Sequence, residues 1–240
     1  MTGAPRIAEL GPLADPRVGV GRDFAADSQT MLLLFSTMSE GVAPPAFEFL
    51  AASARLQVRR LFLRDPGGVW YHRGIPGLGD RIDIAAASLS AIRDEQGIER
   101  LIAIGYSAGG YAALLFGALL GAERVIALEP QTCLEREWLS EIGDDRWDAA
   151  LDRLDEGGGA DPGYLDLRSV LTPARAPATS FEVHYNALFP ADEDHALRLS
   201  GLPGVELRKR APDGRNIVRS LRAGGELEEM FADAAAVRRP

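Results

Sequence analysis

The chain has 240 residues, of which 46% are hydrophobic, and its mean hydropathy is close to zero, at -0.06. This composition suits a single globular domain over residues 1–240 and excludes a disordered or fibrous chain. The 35 acidic and 26 basic residues give a net charge of -9, which argues against nucleic acid as the main partner.

The lengths of the apolar runs and the number of cysteines indicate which compartment and which kinds of site to expect. The longest nearly continuous apolar stretch, 111–121, is shorter than the roughly 18 to 20 residues that a membrane-spanning helix needs, and residues 1–10 lack the pattern of a secretory signal. The single cysteine, Cys133, cannot close an intrachain disulfide or build a cysteine cage for a metal. We therefore expect a cytoplasmic protein with no membrane contact, no metal site and no cofactor.

Short apolar runs alternate with helix-like stretches along the chain. Such alternation predicts an α/β fold with a doubly wound, mostly parallel sheet that is covered by helices on both faces. The predicted strands are 30–35, 58–63, 101–104, 125–128, 181–185 and 205–207, and the predicted helices are 47–55, 82–96, 110–120, 195–199 and 217–231.

One long connection interrupts this alternation. Residues 131–178 contain no strand pattern, only helix candidates at 135–142 and 147–155 and then a stretch rich in glycine and proline. A segment of this length inside a compact domain usually covers a site, so we predict a helical cap.

The strongest motif is Gly105-Tyr106-Ser107-Ala108-Gly109, which follows a predicted strand and opens a predicted helix. A serine in this position lies on a tight turn with its hydroxyl above the sheet, which is the pattern of a nucleophile elbow. The motif predicts that Ser107 is a nucleophile. A glycine- and serine-rich turn of an unrelated α/β protein is the alternative.

A second alternative is dinucleotide binding, because Gly105-x-Ser107-x-x-Gly110 differs from the phosphate-binding fingerprint at one position and Glu129 ends the next predicted strand. The middle glycine of that fingerprint lets the backbone approach a pyrophosphate, and here the position carries a side chain. The turn also follows two earlier strands instead of opening the fold. Both points favour the nucleophile.

Three segments together resemble the α/β-hydrolase superfamily, with matching element order from about residue 30 to 231. They read WYHRGIPGLGDRID, GYSAGGYAALLFGALLGAERVIALEPQT and ADEDHALRL. They are similar to a bacterial subgroup of hydrolase-like domains, some of which are associated with polysaccharide biosynthesis. The resemblance implies an α/β-hydrolase-like sheet and catalytic residues in the order serine, acid, histidine.

The resemblance implies roles for particular residues. Ser107 matches the nucleophile, and Asp192 matches the acid, although the neighbouring acids also suit the first turn of a helix. The histidine position reads Gly214-Arg215-Asn216, and no histidine follows His195. Because a guanidinium stays protonated, Arg215 cannot accept the serine proton, and the usual triad is incomplete.

Other residues must then supply the missing functions. His195 lies close to the acid position and is the candidate base, with helix capping or surface exposure as its alternative, while His72 is a candidate substrate contact. The family geometry implies oxyanion donors at the backbone of Ala108 and of Thr37 or Ser36. Arg215 is a candidate binding group for a carboxylate or phosphate.

These residues predict a serine-hydrolase-type enzyme, an esterase or thioesterase that acts through Ser107 on a small-molecule, possibly anionic, substrate. The alternative is a non-catalytic or non-hydrolytic homologue that binds an acidic small molecule through Arg215. A nucleotide-binding protein is a third possibility. The sequence leaves the oligomeric state open.

Overall fold

A seven-stranded sheet organises the chain in the computed structural model, which describes residues 18–38, 47–156, 160–173, 176, 178–211 and 216–236. The spatial order of the strands is β1-β3-β2-β4-β5-β6-β7, and all neighbours are parallel except β1 and β3. The strands are β1 Val20–Asp23, β2 Thr30–Phe35, β3 Arg59–Leu63, β4 Arg100–Tyr106, β5 Arg124–Leu128, β6 Ser180–Asn186 and β7 Val205–Arg210.

Helices cover both faces of this sheet. Helices α2, α3 and α6 pack on one face, and α1, α7 and α8 pack on the other. The helices are α1 Leu50–Ser53, α2 Ile82–Glu95, α3 Ala108–Leu119, α4 Arg136–Glu141, α5 Asp148–Asp155, α6 Pro190–Arg198, α7 Ile217–Gly224 and α8 Glu226–Ala235. The doubly wound, mostly parallel fold is confirmed.

The central strands β2, β4 and β5 are apolar because they are buried on both sides. In β4, Leu101 and Ala103 join the core under α3, whereas Ile102 and Ile104 join the core under α7 and α8. Helix α3 lies close to the sheet at Gly117, where a Cβ atom would meet Val125 Cγ2 at 2.4 Å. This close packing holds the C-terminal half of α3 against β5.

The connection between β5 and β6 contains α4, α5 and two short 3-10 helices, Pro162–Tyr164 and Leu167–Ser169. Its buried residues Leu139, Leu151 and Leu154 join the same apolar core as α3. We keep the name cap for this segment, 131–178. No helix within the described ranges has the length and apolar character needed to cross a membrane.

Four elements differ from the sequence-based prediction. The helix predicted over 47–55 is only the four-residue α1, Leu50–Ser53. Strand β1 was not predicted, because its short sequence VGRD lacks an apolar run, yet Asp23 pairs with the buried Arg60 of β3. The single helix predicted over 217–231 is two helices, since Gly225 adopts a left-handed conformation with a φ of 78°. The helix predicted at 195–199 begins earlier, at Pro190.

Candidate active site

Ser107 occupies the turn between β4 and α3. Its backbone has φ 54° and ψ -120°, in a region that residues other than glycine rarely adopt. The Ser107 N–H donates to the Leu128 carbonyl at 2.8 Å, and the Ser107 carbonyl accepts from the Tyr111 N–H at 3.0 Å. The turn therefore holds the half-buried serine side chain at the carboxyl edge of the sheet, in a strained conformation typical of functional sites.

The glycines of this motif are required for packing. A Cβ atom on Gly105 would lie 1.9 Å from the Gly109 carbonyl oxygen, and one on Gly109 would lie 2.3 Å from the Phe35 carbonyl oxygen. Close approach of strand and helix thus explains both glycines without a pyrophosphate. The turn also follows the fourth strand of the chain, which does not fit the dinucleotide-binding alternative.

The two predicted oxyanion donors have different surroundings. Ala108 is the first residue of α3, so its N–H has no acceptor within the helix. The Thr37 N–H donates to Glu48 Oε2 at 3.3 Å, and Ser36 Oγ accepts from the Glu48 N–H at 3.1 Å. Burial raises the pKa of Glu48 to about 7. In this structure the Thr37 N–H is already bonded to the carboxyl group of Glu48. Of the two predicted oxyanion donors, the Ala108 N–H is therefore the better placed.

A buried glutamine that the sequence analysis missed faces the serine. Gln131 Nε2 lies 3.5 Å from Ser107 Oγ, and Gln131 Oε1 accepts a hydrogen bond from Trp70 Nε1 at 3.0 Å. Gln131 is 2% exposed and Trp70 is fully buried. The only sequence signal for Gln131 is its place just after β5, at the edge where ligands of parallel sheets bind.

Asp192, the predicted acid, lies in the first turn of α6 and is nearly buried. Its Oδ1 accepts a hydrogen bond from Arg146 Nη1 at 2.7 Å, and Arg146 Nε also donates to Asp144 Oδ1 at 2.6 Å. Asp192 therefore joins an ion-pair network between α6 and the cap. The network places it near the carboxyl edge, paired to an arginine and not to a histidine.

Both ring nitrogens of His195 have partners inside the protein. The Thr132 N–H donates to Nδ1 at 3.0 Å, and Nε2 lies 3.2 Å from Asp144 Oδ2. Because Nδ1 accepts, the neutral ring carries its proton on Nε2 and donates it to Asp144. The side chain is fully buried, and burial lowers its pKa. Neither nitrogen is left to accept a proton from Ser107, so the geometry favours a structural role for His195.

His72, the predicted substrate contact, connects the loop after β3 to the cap. The Tyr111 hydroxyl donates to the Tyr164 carbonyl at 2.5 Å, so its oxygen accepts from His72 Nε2, which is 2.9 Å away. The Asp161 N–H donates to His72 Nδ1 at 3.4 Å. Burial lowers the pKa of His72 to about 4, so the ring is neutral at pH 7. Both ring nitrogens of His72 thus form hydrogen bonds within the protein, so neither is left to contact a substrate.

Glu129 is a buried carboxylate beside the serine turn. Its φ of 45° turns the side chain toward α7, where the Ile217 N–H donates to Oε2 at 3.3 Å. Among the described residues, Oε1 has no hydrogen-bond partner within bonding distance, although the polar side chains of Asn186 and Tyr106 lie near the carboxyl group. Burial and the negative charge of Asp192 raise the pKa of Glu129 to about 7, and polar contacts with Ile217, Asn186 and Tyr106 oppose this rise. A carboxyl group with this pKa can exchange a proton near neutral pH.

The last two groups are Arg215, the predicted anion-binding residue, and His184, the third histidine of the chain. Arg215 falls outside the described residues, so its predicted position near Ser107 stays a prediction. His184 lies on the face covered by α8, in a shallow surface pocket that it lines with Glu182, Arg210 and Glu226. Burial lowers the pKa of His184.

One group of possible metal ligands occurs within the described ranges. A thiol and two carboxylates, from Cys133, Glu135 and Asp166, lie within 4.8 Å of one another. Both oxygens of Asp166 accept hydrogen bonds from Arg198, at 2.6 and 3.1 Å, and burial raises the pKa of Cys133 to about 12. A neutral thiol and a carboxylate already paired to arginine do not fit a metal ion.

Solved structures with the α/β-hydrolase fold are similar to this chain. A capsule O-acetyltransferase of Neisseria meningitidis serogroup A matches with a TM-score of 0.65 and 13% identity, covering 90% of each chain. A fluorophosphonate-binding serine hydrolase of Staphylococcus aureus matches with a TM-score of 0.59 and 10% identity, covering 89% of this chain and 88% of the other.

Brefeldin A esterase, a bacterial homologue of human hormone sensitive lipase, matches with a TM-score of 0.56 and 15% identity, covering 98% of this chain and 82% of the esterase. No family model and no curated protein sequence matches the chain. At these identities the likeness concerns the fold, and the fold that the sequence predicted, an α/β-hydrolase-like sheet, is confirmed.

Proposed function

We propose that the protein is a serine acyl-transfer enzyme that cleaves an ester or thioester, with Ser107 as the nucleophile. The observation that carries the proposal is the left-handed turn at Ser107, between β4 and α3. We interpret this turn as a nucleophile elbow, in which the serine oxygen lies at the helix N-terminus. The helix start favours negative charge as the acyl oxygen becomes an oxyanion.

The similar structures support this chemistry by analogy only, because one fold serves many functions. They include an O-acetyltransferase, an esterase and a serine hydrolase. In each class an acyl group leaves one oxygen or sulfur atom and joins another. The acceptor in the present protein, water or a hydroxyl group, stays open within the proposal.

The acylation step needs an acceptor for the serine proton. Oγ forms a bond to the acyl carbon, the bond from that carbon to the leaving oxygen or sulfur breaks, and the leaving group takes up a proton. Arg215 cannot accept a proton, and the nitrogens of His195 and His72 are engaged. We therefore assign the proton to a carboxylate.

Glu129 is our candidate for this carboxylate. Tyr106 and Leu128 are paired at the ends of β4 and β5, so Ser107 and Glu129 follow at the same level of the sheet edge. Its Oε1 has no hydrogen-bond partner within bonding distance among the described residues. Two other carboxyl groups at this edge have a raised pKa: Asp65, which accepts from the Val69 and Tyr71 N–H groups, and Glu48, which, like Glu129, accepts from one backbone N–H. The proposal replaces the serine–histidine pair by a serine–glutamate pair.

Labelling with a fluorophosphonate tests the proposed function without knowledge of the substrate. We expect one adduct on Ser107, identified by peptide mass spectrometry, and no adduct in Ser107→Ala. Ser140→Ala, at an exposed serine of α4, is the matched control and should label like the unmodified protein. An unlabelled wild-type protein that shows no esterase activity would contradict the proposal.

The second candidate is a non-hydrolytic homologue that binds an acidic small molecule. The engagement of both nitrogens in His72 and in His195 favours it, because a site without a histidine base is expected in such a homologue. In that case Arg215 would hold the carboxylate or phosphate of the ligand. Absence of labelling, together with anion binding that Arg215→Ala abolishes, would support this candidate.

A further inference from the structure

The contact between Gln131 and Ser107 has a defined direction. Indole nitrogen can only donate a hydrogen bond, so the Gln131 atom that faces Trp70 Nε1 at 3.0 Å must be the amide oxygen. The amide nitrogen then faces Ser107 Oγ, at 3.5 Å. Trp70 thus removes the usual ambiguity between the two ends of an amide.

The surrounding loop fixes Trp70 in turn. Trp70 and Tyr71 both have left-handed backbones, with φ values of 52° and 65°. The buried carboxylate of Asp65 accepts from the Val69 N–H at 2.7 Å and from the Tyr71 N–H at 2.9 Å. The Trp70 ring packs edge-on against Trp147 of the cap, with ring centroids 5.9 Å apart. Such support preorganises the indole donor before any substrate arrives.

We propose that Gln131 is a catalytic residue, whose amide N–H donates a hydrogen bond to Ser107 Oγ, orients this oxygen and stabilises the partial negative charge that it carries while its proton leaves, and that Trp70 is the positioning residue that holds the amide in this direction. The inference rests on the proposed function, since it names a residue for the same acyl-transfer step.

Two physical consequences follow from an amide donor at this place. The serine oxygen accepts from Gln131, so its own proton points away from the Gln131 amide. While that proton leaves and before the charge reaches the acyl oxygen, a fixed N–H stabilises the partial charge on Oγ without having to reorient. A contact of 3.5 Å in the free protein shortens as negative charge develops on the acceptor.

Gln131→Met is the sharpest test, because it keeps the approximate size of the side chain and removes the N–H donor without placing a second carboxylate beside Ser107. We expect kcat for an activated ester such as p-nitrophenyl acetate to fall about 30- to 100-fold, the cost of one lost hydrogen bond to an oxygen that carries developing charge, with KM changed less than about threefold. Gln57→Met, at an exposed glutamine, is the matched control and should keep the full rate.

Trp70→Phe tests the positioning role. The ring is kept in part, the indole donor is lost, and the amide of Gln131 becomes free to turn its oxygen toward Ser107. We expect a smaller fall in kcat, about 10-fold, again with little change in KM. Thermal unfolding and the fraction of protein that a fluorophosphonate labels at completion show whether each variant is folded, and rates are expressed per labelled site.

The results separate the two proposals. If Ser107→Ala abolishes turnover while folded Gln131→Met keeps the wild-type kcat per labelled site, the role of Gln131 is overturned and the serine mechanism stands. If the fraction of protein that becomes labelled decreases in the Gln131 variant while kcat per labelled site is unchanged, Gln131 has a structural role. That result would likewise overturn the inference. A wild-type protein without labelling or turnover would overturn both.

Discussion

His195 Nε2 lies 3.2 Å from Asp144 Oδ2, and both side chains are completely buried. Asp144 belongs to the cap and His195 to α6, so this contact crosses between the two elements. Burial would raise the pKa of Asp144, but hydrogen bonds from Arg146 and His195 outweigh it and hold that pKa well below its usual range. The relationship makes His195 an anchor for the cap instead of a base for the serine.

Asp144→Asn should destabilise the protein. The substitution removes the negative charge of Asp144, whose carboxylate contacts both Arg146 and His195. Loss of hydrogen bonds between charged, buried groups costs about 2 to 3 kcal/mol of unfolding free energy. Chemical denaturation measures this change. Asp145→Asn, at the exposed neighbouring residue, should change the unfolding free energy by less than about 0.5 kcal/mol. Equal stability of the two variants would show that the buried pair does not anchor the cap.

Glu129→Gln should remove the base of the proposed reaction. With the pKa of Glu129 near 7, the ionised form accumulates as pH rises, so wild-type kcat/KM for an activated ester should fall below about pH 7. The variant should be about 10² to 10⁴-fold slower and should lose this pH limb. A wild-type profile that is unchanged in the variant would exclude Glu129 as the base.

Ionisation of Glu129 at higher pH should increase the activity but decrease the stability of the folded protein. The pKa of this carboxyl group is raised in the folded state, so its contribution to stability is complete below its unfolded pKa, near 4.5, and is lost as pH rises through about 7. Glu129→Gln should therefore be relatively more stable at pH 8 than at pH 4. Unfolding free energies of both proteins at these two pH values measure the difference. A pH-independent difference would contradict the raised pKa.

Arg215→Ala should alter substrate preference and leave basal chemistry nearly intact. A guanidinium binds anions but does not abstract protons, so turnover of p-nitrophenyl acetate should stay within about threefold of the wild type. For an ester with a carboxylate in its acyl chain, such as the p-nitrophenyl monoester of succinate, KM should rise about 10-fold or more. If both esters respond equally, Arg215 does not bind the anionic group.

The sequence predicts the parts of the fold that depend on local pattern. Strand β2 was predicted with the bounds that the structure has, Thr30–Phe35, because an apolar run of that length suits a strand buried on both faces. The sequence does not predict strand β1, because this strand depends on its pairing with β3 and on the Asp23–Arg60 contact. Neither contact is visible in the local sequence pattern. The break at Gly225 was visible only as a glycine within an otherwise helical pattern.

The site was predictable only where a motif lies along the chain. The turn at Ser107 follows from five consecutive residues, and the structure places the serine between β4 and α3 as predicted. The partner of His195, Asp144, is 51 residues away in sequence, and Trp70 is 61 residues from Gln131. Such pairs depend on how the cap folds back onto the sheet, so spacing alone cannot identify them.

The most direct test of the account is the turnover of p-nitrophenyl acetate by the unmodified protein and by Ser107→Ala. Since an oxyanion site and binding alone still accelerate hydrolysis by roughly 10³ to 10⁴-fold in serine enzymes that have lost triad members, we expect at least weak turnover by the wild type. In Ser107→Ala the nucleophile is gone, and we expect the rate to fall to the background of the buffer. Turnover that is unchanged in Ser107→Ala would contradict the assignment of Ser107 as the nucleophile.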